Sequence, residues 1–235
     1  MFFRKSIINS GLLNGFSDIH THILWGVDDG MQTVDETFEA LNFYELHGAK
    51  RICFTPHIMD DLPENTPGFL TQRFEEIKSA YTGSLELRLG AEYMIDSAFG
   101  KHLTNSRLLT ISGNKVLIET SYLSAPTGFD SILYDIQTKG YEVVLAHPER
   151  YNYMTMSDYT QLKKQNIKFQ LNILALLGAY GQAAKAKAHK LLYNNMYDYV
   201  GSDIHNLNFH TKKYNAKTLK QREIFLLKSL IEKIQ

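Results

Sequence analysis

Histidine, aspartate and glutamate recur along this chain where loops follow short apolar runs. His20 and His22 stand two residues apart, which in an extended segment puts both imidazoles on one side. Asp28 and Asp29 come next. His57 follows Pro56, Glu92 follows Gly90 and Ala91, and Glu119 ends an apolar run. His147 follows Ala146, and Asp203 and His205 are again two apart. Taken singly, each has an ordinary explanation: a histidine that caps a helix, a glutamate paired with an arginine, a chance His-x-His. Core packing gives no reason for them to recur at the ends of six inferred strands.

Imidazole and carboxylate together suit Zn, Mn and Fe, and a carboxylate-rich set favours harder ions such as Mn. His20, His22, Asp29, His57, Glu92, Glu119, His147, Asp203 and His205 are too many for one ion. At about four to six ligands per ion, counting waters and bridges, they fit two or three. Clustered metals can hold a bridging hydroxide against a phosphoryl group. The chemistry the residues point to is therefore metal-assisted phosphoester hydrolysis.

The elements that must position them alternate in type. β-branched or aliphatic runs at Phe16–His20, Arg51–Thr55, Leu85–Gly90, Lys115–Glu119, Glu142–Ala146, Lys168–Leu171 and Tyr199–Ser202 predict seven strands. Helical periodicity marks segments near 33–47, 68–80, 128–139, 157–164, 175–194 and 216–234. The clearest helix opens at the capping-box sequence Thr33-Val-Asp-Glu36 and is expected to bury Val34, Phe38, Leu41 and Tyr44 before Gly48 ends it. Alternation of this kind predicts βα units on a parallel sheet. A closed (β/α) barrel with seven strands is expected, with an open doubly wound sheet as the other architecture. Both gather functional groups at the carboxyl ends of the strands, where the metal-binding residue types fall.

The 235 residues suit one domain, expected over 16–235 behind an N-terminal tail, 1–15, that is disordered or loosely docked. Twenty-five Lys and Arg balance twenty-five Asp and Glu, so no basic excess favours a nucleic acid. The opening Met1-Phe-Phe-Arg-Lys-Ser-Ile-Ile is too short for a signal peptide or a membrane span. Phe2 and Phe3 beside Arg4 and Lys5 allow at most a weak peripheral membrane contact. A single cysteine, Cys53, permits no internal disulfide and suits the cytoplasm.

Asp18-Ile-His20-Thr-His22, Asp28-Asp29-Gly30, Thr55-Pro56-His57, Gly90-Ala91-Glu92, His147-Pro148-Glu149-Arg150 and Ser202-Asp203-Ile204-His205-Asn206 form an ordered series that resembles the motifs of the polymerase-and-histidinol-phosphatase (PHP) superfamily. Ile23-Leu24-Trp25-Gly26-Val27-Asp28-Asp29-Gly30, and Glu119 where other branches often carry a histidine, are similar to its bacterial manganese-dependent tyrosine-protein phosphatases of capsule and exopolysaccharide synthesis. The resemblance runs over roughly residues 16–210.

It implies a distorted (β/α)7, TIM-like barrel holding two or three manganese ions, with iron or zinc as alternatives. The first ion would take His20, His22, Glu92 and Asp203, with Glu92 bridging to the second. The second would add Glu119 and His147, and the third would take Asp29, His57 and His205. Arg150 matches a family arginine that holds substrate phosphate, a task suited to its parallel N–H groups. A salt bridge to Glu149 or a helix end is its ordinary alternative. Where the family often has a second arginine, five residues after the last ligand histidine, this chain has His210. When protonated it would still donate to phosphate, with a charge that depends on pH near neutrality, and Lys212 or Lys213 are expected as alternatives.

Tyr122, Tyr151, Tyr153 and Phe209 are candidates to wall an aryl pocket, or are ordinary packing. The implied substrate is phosphotyrosine on the tail of a bacterial tyrosine kinase that controls polysaccharide synthesis. Two rivals are a PHP-type phosphatase of a small ester such as histidinol phosphate, and a non-catalytic phosphotyrosine-binding metalloprotein. Cys53 lacks the arginine-rich phosphate loop of a cysteine-dependent phosphatase.

Overall fold

Runs such as Val116–Ile118 and Val143–Ala146 are buried along their whole length and so belong inside a parallel sheet covered on both faces. The computed structural model describes residues 4–232. In chain order its first half holds α1 (Ile7–Ser10), β1 (Ser17–Thr21), α2 (Val34–Leu46), β2 (Arg51–Phe54), β3 (His57–Ile58), α3 (Pro67–Ala80), β4 (Glu86–Leu89), β5 (Glu92–Met94), α4 (Phe99–Asn105) and β6 (Lys115–Glu119). There follow α5 (Phe129–Thr138), β7 (Glu142–Ala146), α6 (Met156–Lys164), β8 (Lys168–Asn172), α7 (Ile173–Leu176), α8 (Gly181–Tyr193), β9 (Tyr199–Gly201), α9 (Leu207–Asn215) and α10 (Gln221–Glu232).

Every strand pairing is parallel. One sheet runs β1-β2-β4 and the other β3-β5-β6-β7-β8-β9. The division is local, because β2 and β3 are two halves of one run interrupted at Thr55-Pro56, and β4 and β5 are halves of another interrupted at Gly90-Ala91. Proline has no N–H to give the ladder, yet its carbonyl accepts from Glu92 N at 3.1 Å, and Gly90 N donates to Phe54 O at 2.8 Å. Around the ring there are thus seven strand positions, and a parallel bridge between Thr21 and Ile204 closes β9 on β1. The result is a barrel distorted by two strand breaks, with its helices outside.

Local chemistry explains the main elements. The Thr33–Glu36 capping box forms, each side chain bonding the other's backbone N–H, a device worth about 1 kcal/mol. The buried stripe of α2 is Thr37, Ala40, Leu41 and Tyr44, one position round from the expected face; Val34 is 36% exposed and Phe38 half-buried. Gly48 ends the helix at φ 79°, where a Cβ would meet the Asn14 side-chain oxygen at 2.9 Å.

Other expectations are corrected. The helix expected over 175–194 is broken into α7 and α8 by Gly178 and Gly181, at φ 79° and 86°. The helix expected over 216–234 begins only at Gln221, and α4 and α9 form where no helix was expected. From Lys5 onward the N-terminal segment is not loosely docked. Ile7, Leu12 and Leu13 are buried in the core, Ser6 caps α1, and Lys5 pairs antiparallel with Leu219. Phe2 and Phe3 lie outside the described residues. Among those described, no helix is long and apolar enough to cross a membrane.

Candidate metal centre and phosphate cleft

The carboxyl ends of the strands bring the acidic and imidazole side chains together. His20 lies on β1 and His22 just beyond it. His57 opens β3, Glu92 opens β5 and Glu119 ends β6. His147 follows β7, and Asp203 and His205 follow β9. His147 and Asp203 have φ of 32° and 54°, a conformation uncommon outside glycine. Held strain of that kind concentrates at functional sites.

Four atoms form a fully buried group: His20 Nε2, His22 Nε2, a Glu92 oxygen and an Asp203 oxygen. The two nitrogens are 3.1 Å apart. Each lies 3.0–3.2 Å from Glu92 Oε2 and 3.3–3.4 Å from Asp203 Oδ1. Five of the six edges between these atoms are thus 3.0–3.4 Å, and a regular tetrahedron with such edges has its centre about 2.0 Å from each corner, the bond length of a first-row metal to N or O donors. Tautomers agree with that geometry. His20 Nδ1 faces Gln170 Oε1 at 2.8 Å, and His22 Nδ1 faces Asp28 Oδ2 at 2.9 Å. Both acceptors require a proton on Nδ1, which leaves both Nε2 lone pairs aimed into the group. The donor set therefore fits a divalent cation.

Charge completes the case. Burial works against charge on all four groups, but the attraction of Glu92 and then Asp203 outweighs it at His20, whose pKa rises to about 9. Glu92 and Asp203 are in turn held well below the usual carboxylate range, by His20 foremost among the charges that offset burial. Two buried carboxylates and facing imidazoles thus demand positive charge, which protons or a metal can supply, and metal binding must displace the protons.

Two further groups adjoin this one. Asp29, His57 and His205 cluster with His22, and His57 clusters with Glu92 and Glu119. The Asp29 carboxyl is lowered to about 2, chiefly by its hydrogen bond with His205. His57 Nδ1 is 3.0 Å from Glu119 and 3.4 Å from Glu92, yet this buried nitrogen makes a hydrogen bond to neither. His147 Nε2 sits 3.0 Å from Glu92 Oε1 and 3.7 Å from Glu119 Oε2. The resemblance gives His57 to the third ion and His147 to the second. In the structure His57 stands between both sets.

A supporting layer escaped the sequence reading. Gln170 and Asn172 are fully buried on β8. Asn172 Nδ2 donates to Asp203 Oδ2 at 2.7 Å and to the Tyr180 hydroxyl at 2.9 Å. Asp18 Oδ1 accepts from Ser202 N, and its Oδ2 accepts from the Tyr44 hydroxyl at 2.6 Å, tying β1 to the loop that carries Asp203. The signal was present: Gln170 interrupts an apolar strand on its buried side, where a polar group needs a partner. Asp28, without an assigned role before, orients His22 and accepts from His57 N at 3.1 Å.

Beside the cluster lies a cleft of about 280 Å³ lined by Asp29, Arg150, Tyr180, Asp203, His205, Asn206, Phe209 and His210. Arg150 donates from Nη1 to Asp203 Oδ2 at 3.0 Å and does not pair with Glu149. Glu149 instead accepts from Asn172 N and Tyr197 Oη, and burial pushes it up to about 7. His210 is not placed as a substitute arginine. It is 2% exposed, its ring nitrogens face the carbonyls of Asn206 and Ser202, and burial lowers its pKa to about 4, so it carries no charge near neutrality. Lys213 lies over the Phe209 ring. Of the proposed aryl walls, Phe209 lines the cleft, Tyr122 covers Arg150, and Tyr151 is fully buried. Tyr153 bonds Thr120 away from the cleft. Cys53 is buried with its thiol pushed up to about 12, unsuited to nucleophilic attack.

Residues 16–221 match the family model described as capsular polysaccharide synthesis, CpsB/CapC. The chain is 29% identical over 205 residues to tyrosine-protein phosphatase YwqE of Bacillus subtilis (strain 168), covering 83% of this chain and 81% of that protein. It is 27% identical over 241 residues to tyrosine-protein phosphatase CpsB of Streptococcus pneumoniae, covering 89% and 94%. A crystal structure from a study of YwqE and CpsB, described as unique metal-dependent tyrosine phosphatases, superposes with a TM-score of 0.77 at 27% identity over 90% of this chain and 86% of that one. The phosphotriesterase homology protein of Escherichia coli, 11% identical with a TM-score of 0.51 over 92% of each chain, shares the fold.

Proposed function

This chain belongs to the capsular polysaccharide synthesis family CpsB/CapC, and from that premise we propose that it is a metal-dependent protein-tyrosine phosphatase. The observation that carries the reading is the set of buried Nε2 and carboxylate atoms converging at metal-ligand spacing beside Arg150. His20, His22, Glu92 and Asp203 would hold one ion. Glu92, Glu119, His147 and His57 would hold a second, with Asp29, His57 and His205 around a third. Four carboxylates among nine ligands favour manganese, and two or three ions suit the separate clusters.

Bound divalent ions supply Lewis acidity towards phosphoryl oxygens and lower the pKa of water. The protein's own groups do the rest. Gln170 and Asp28 hold His20 and His22 in the ligating tautomer. Arg150 presents N–H groups to the phosphate, and Phe209 and Tyr180 flank the place where an aryl ring enters. Water displaces the tyrosine phenolate in line at phosphorus. With a conjugate-acid pKa of about 10, that phenolate departs with less proton assistance than an alkoxide.

The substrate we assign is a phosphotyrosine tail of a bacterial tyrosine kinase of polysaccharide synthesis, met in the cytoplasm, where the lone unpaired Cys53 is at home. The test is manganese-supported turnover of such a phosphopeptide beside histidinol phosphate. Preference for the phosphopeptide is the expected result, preference for histidinol phosphate overturns the substrate, and turnover of neither overturns the enzyme.

A further inference from the structure

Arg150 is held in an unusual way for a residue at a cleft. Its guanidinium carbon lies 4.2 Å from the ring centroid of Tyr122 on the loop after β6 and 4.3 Å from that of Tyr180 on the loop after α7. Nη1 bonds Asp203, and the other N–H groups have no hydrogen bond to described residues. Tyr180 is anchored in turn: its hydroxyl accepts from Asn172 Nδ2, the amide that also bonds Asp203.

We propose that Tyr180 is a positioning residue for phosphate, acting with Tyr122 as an aromatic clamp that holds Arg150 with its free N–H edge towards the cleft. This rests on the reading of Arg150 as the phosphate-binding group. A guanidinium packed against two rings forms new hydrogen bonds in its own plane, the geometry that matches two phosphate oxygens. Cation–π attraction is strongest where water is excluded, and Arg150 is mostly buried. The side chain is already ordered before substrate arrives, so less freedom is lost on binding. Asp203 alone would not achieve this, because one hydrogen bond leaves the plane free to rotate. Asn172 makes the clamp and the Asp203 carboxylate one unit.

The test uses metal-loaded full-length protein, with inorganic phosphate as competitive inhibitor and a phosphotyrosine peptide as substrate. Y180L should raise the phosphate inhibition constant and KM roughly tenfold, the scale of one desolvated cation–π contact, while kcat changes far less and bound metal per chain stays constant. Y180F keeps the ring but loses the Asn172 anchor, and should fall between the parent and Y180L. Y122L, acting through the second ring, should reproduce the effect of Y180L and serves if that variant folds poorly. If R150A weakens phosphate inhibition while Y180L and Y122L do not, the clamp is overturned and the reading of Arg150 survives. If R150A leaves phosphate inhibition unchanged, both fall.

Discussion

At about pH 9.5, above the His20 pKa of about 9, replacing Gln170 by leucine should weaken metal binding ten- to a hundredfold, a loss separate from any change in the stability of the metal-free fold. In the parent protein the Gln170 Oε1 accepts from His20 Nδ1 at 2.8 Å, with both side chains fully buried. Leucine removes that acceptor, and His20 then has two choices. Keeping its Nδ1 proton leaves a buried donor unpaired, at a cost of about 1–3 kcal/mol. Moving the proton to Nε2 avoids the cost, because Glu92 Oε2 stands 3.0 Å away to receive it. Above its pKa of about 9, His20 of the metal-free protein is neutral and takes the second course, so this particular penalty is absent there. A metal needs the Nε2 lone pair, so binding must drive the first. The penalty therefore appears almost wholly in affinity, on the scale of roughly 10–100-fold seen when a histidine ligand loses its outer partner. The bonds from Gln170 to the Leu171 carbonyl and from His147 N are lost equally in both states. Anaerobic titration of chelator-stripped Gln170→Leu and parent with manganese at about pH 9.5, alongside melting curves with and without the ion, separates the two effects. Unchanged affinity, or a loss of stability equal in both states, would refute the tautomer argument.

Two other perturbations probe neighbouring parts of the reasoning. A Cβ on Gly201 would come within 2.7 Å of the His20 Cβ and 2.9 Å of Gln170 Nε2, so Gly201→Ala should destabilise the metal-free chain by about 1–3 kcal/mol in denaturant titrations. A neutral result would mean that β1 and β8 yield at this point. His210 concerns pH: its folded pKa of about 4 lies below the ordinary 6.5. Between those values the unfolded chain binds the extra proton, so this contribution is complete above pH 6.5 and is lost as pH falls towards 4. At pH 5 the loss is about 2 kcal/mol. Urea unfolding of metal-free His210→Gln should show a correspondingly shallower fall from pH 7 to pH 5 than the parent; parallel curves would place His210 in water rather than in the core.

The metal-binding residue types were legible because each follows a strand whose apolar pattern is itself visible: His20, Glu119, His147 and Asp203 are found from where β1, β6, β7 and β9 end. Gln170 and Asn172 were less visible, since a polar residue within a strand reveals a need for a partner and not who the partner is. His210 shows the converse. Its spacing from His205 suggested a phosphate contact, but α9 turns the ring inward to the Ser202 and Asn206 carbonyls. The N-terminal segment misled for a similar reason: four residues of helix have no readable period, and only the core around Ile7 and Leu12 orders them.

By itself the sequence determined the alternation of strand and helix, the seven strand positions and the residue types at their ends, because periodicity and composition act locally along the chain. Tertiary structure decided which atoms meet. His57 stands between two clusters of imidazole and carboxylate groups, Asp28 and Gln170 face the Nδ1 atoms of His22 and His20, and Tyr122 and Tyr180, from loops far apart in the chain, both pack against Arg150. Such contacts depend on barrel closure between β9 and β1 and on side-chain direction at the barrel mouth. Neither is encoded by spacing alone, since a shift of one residue turns a strand side chain to the opposite face.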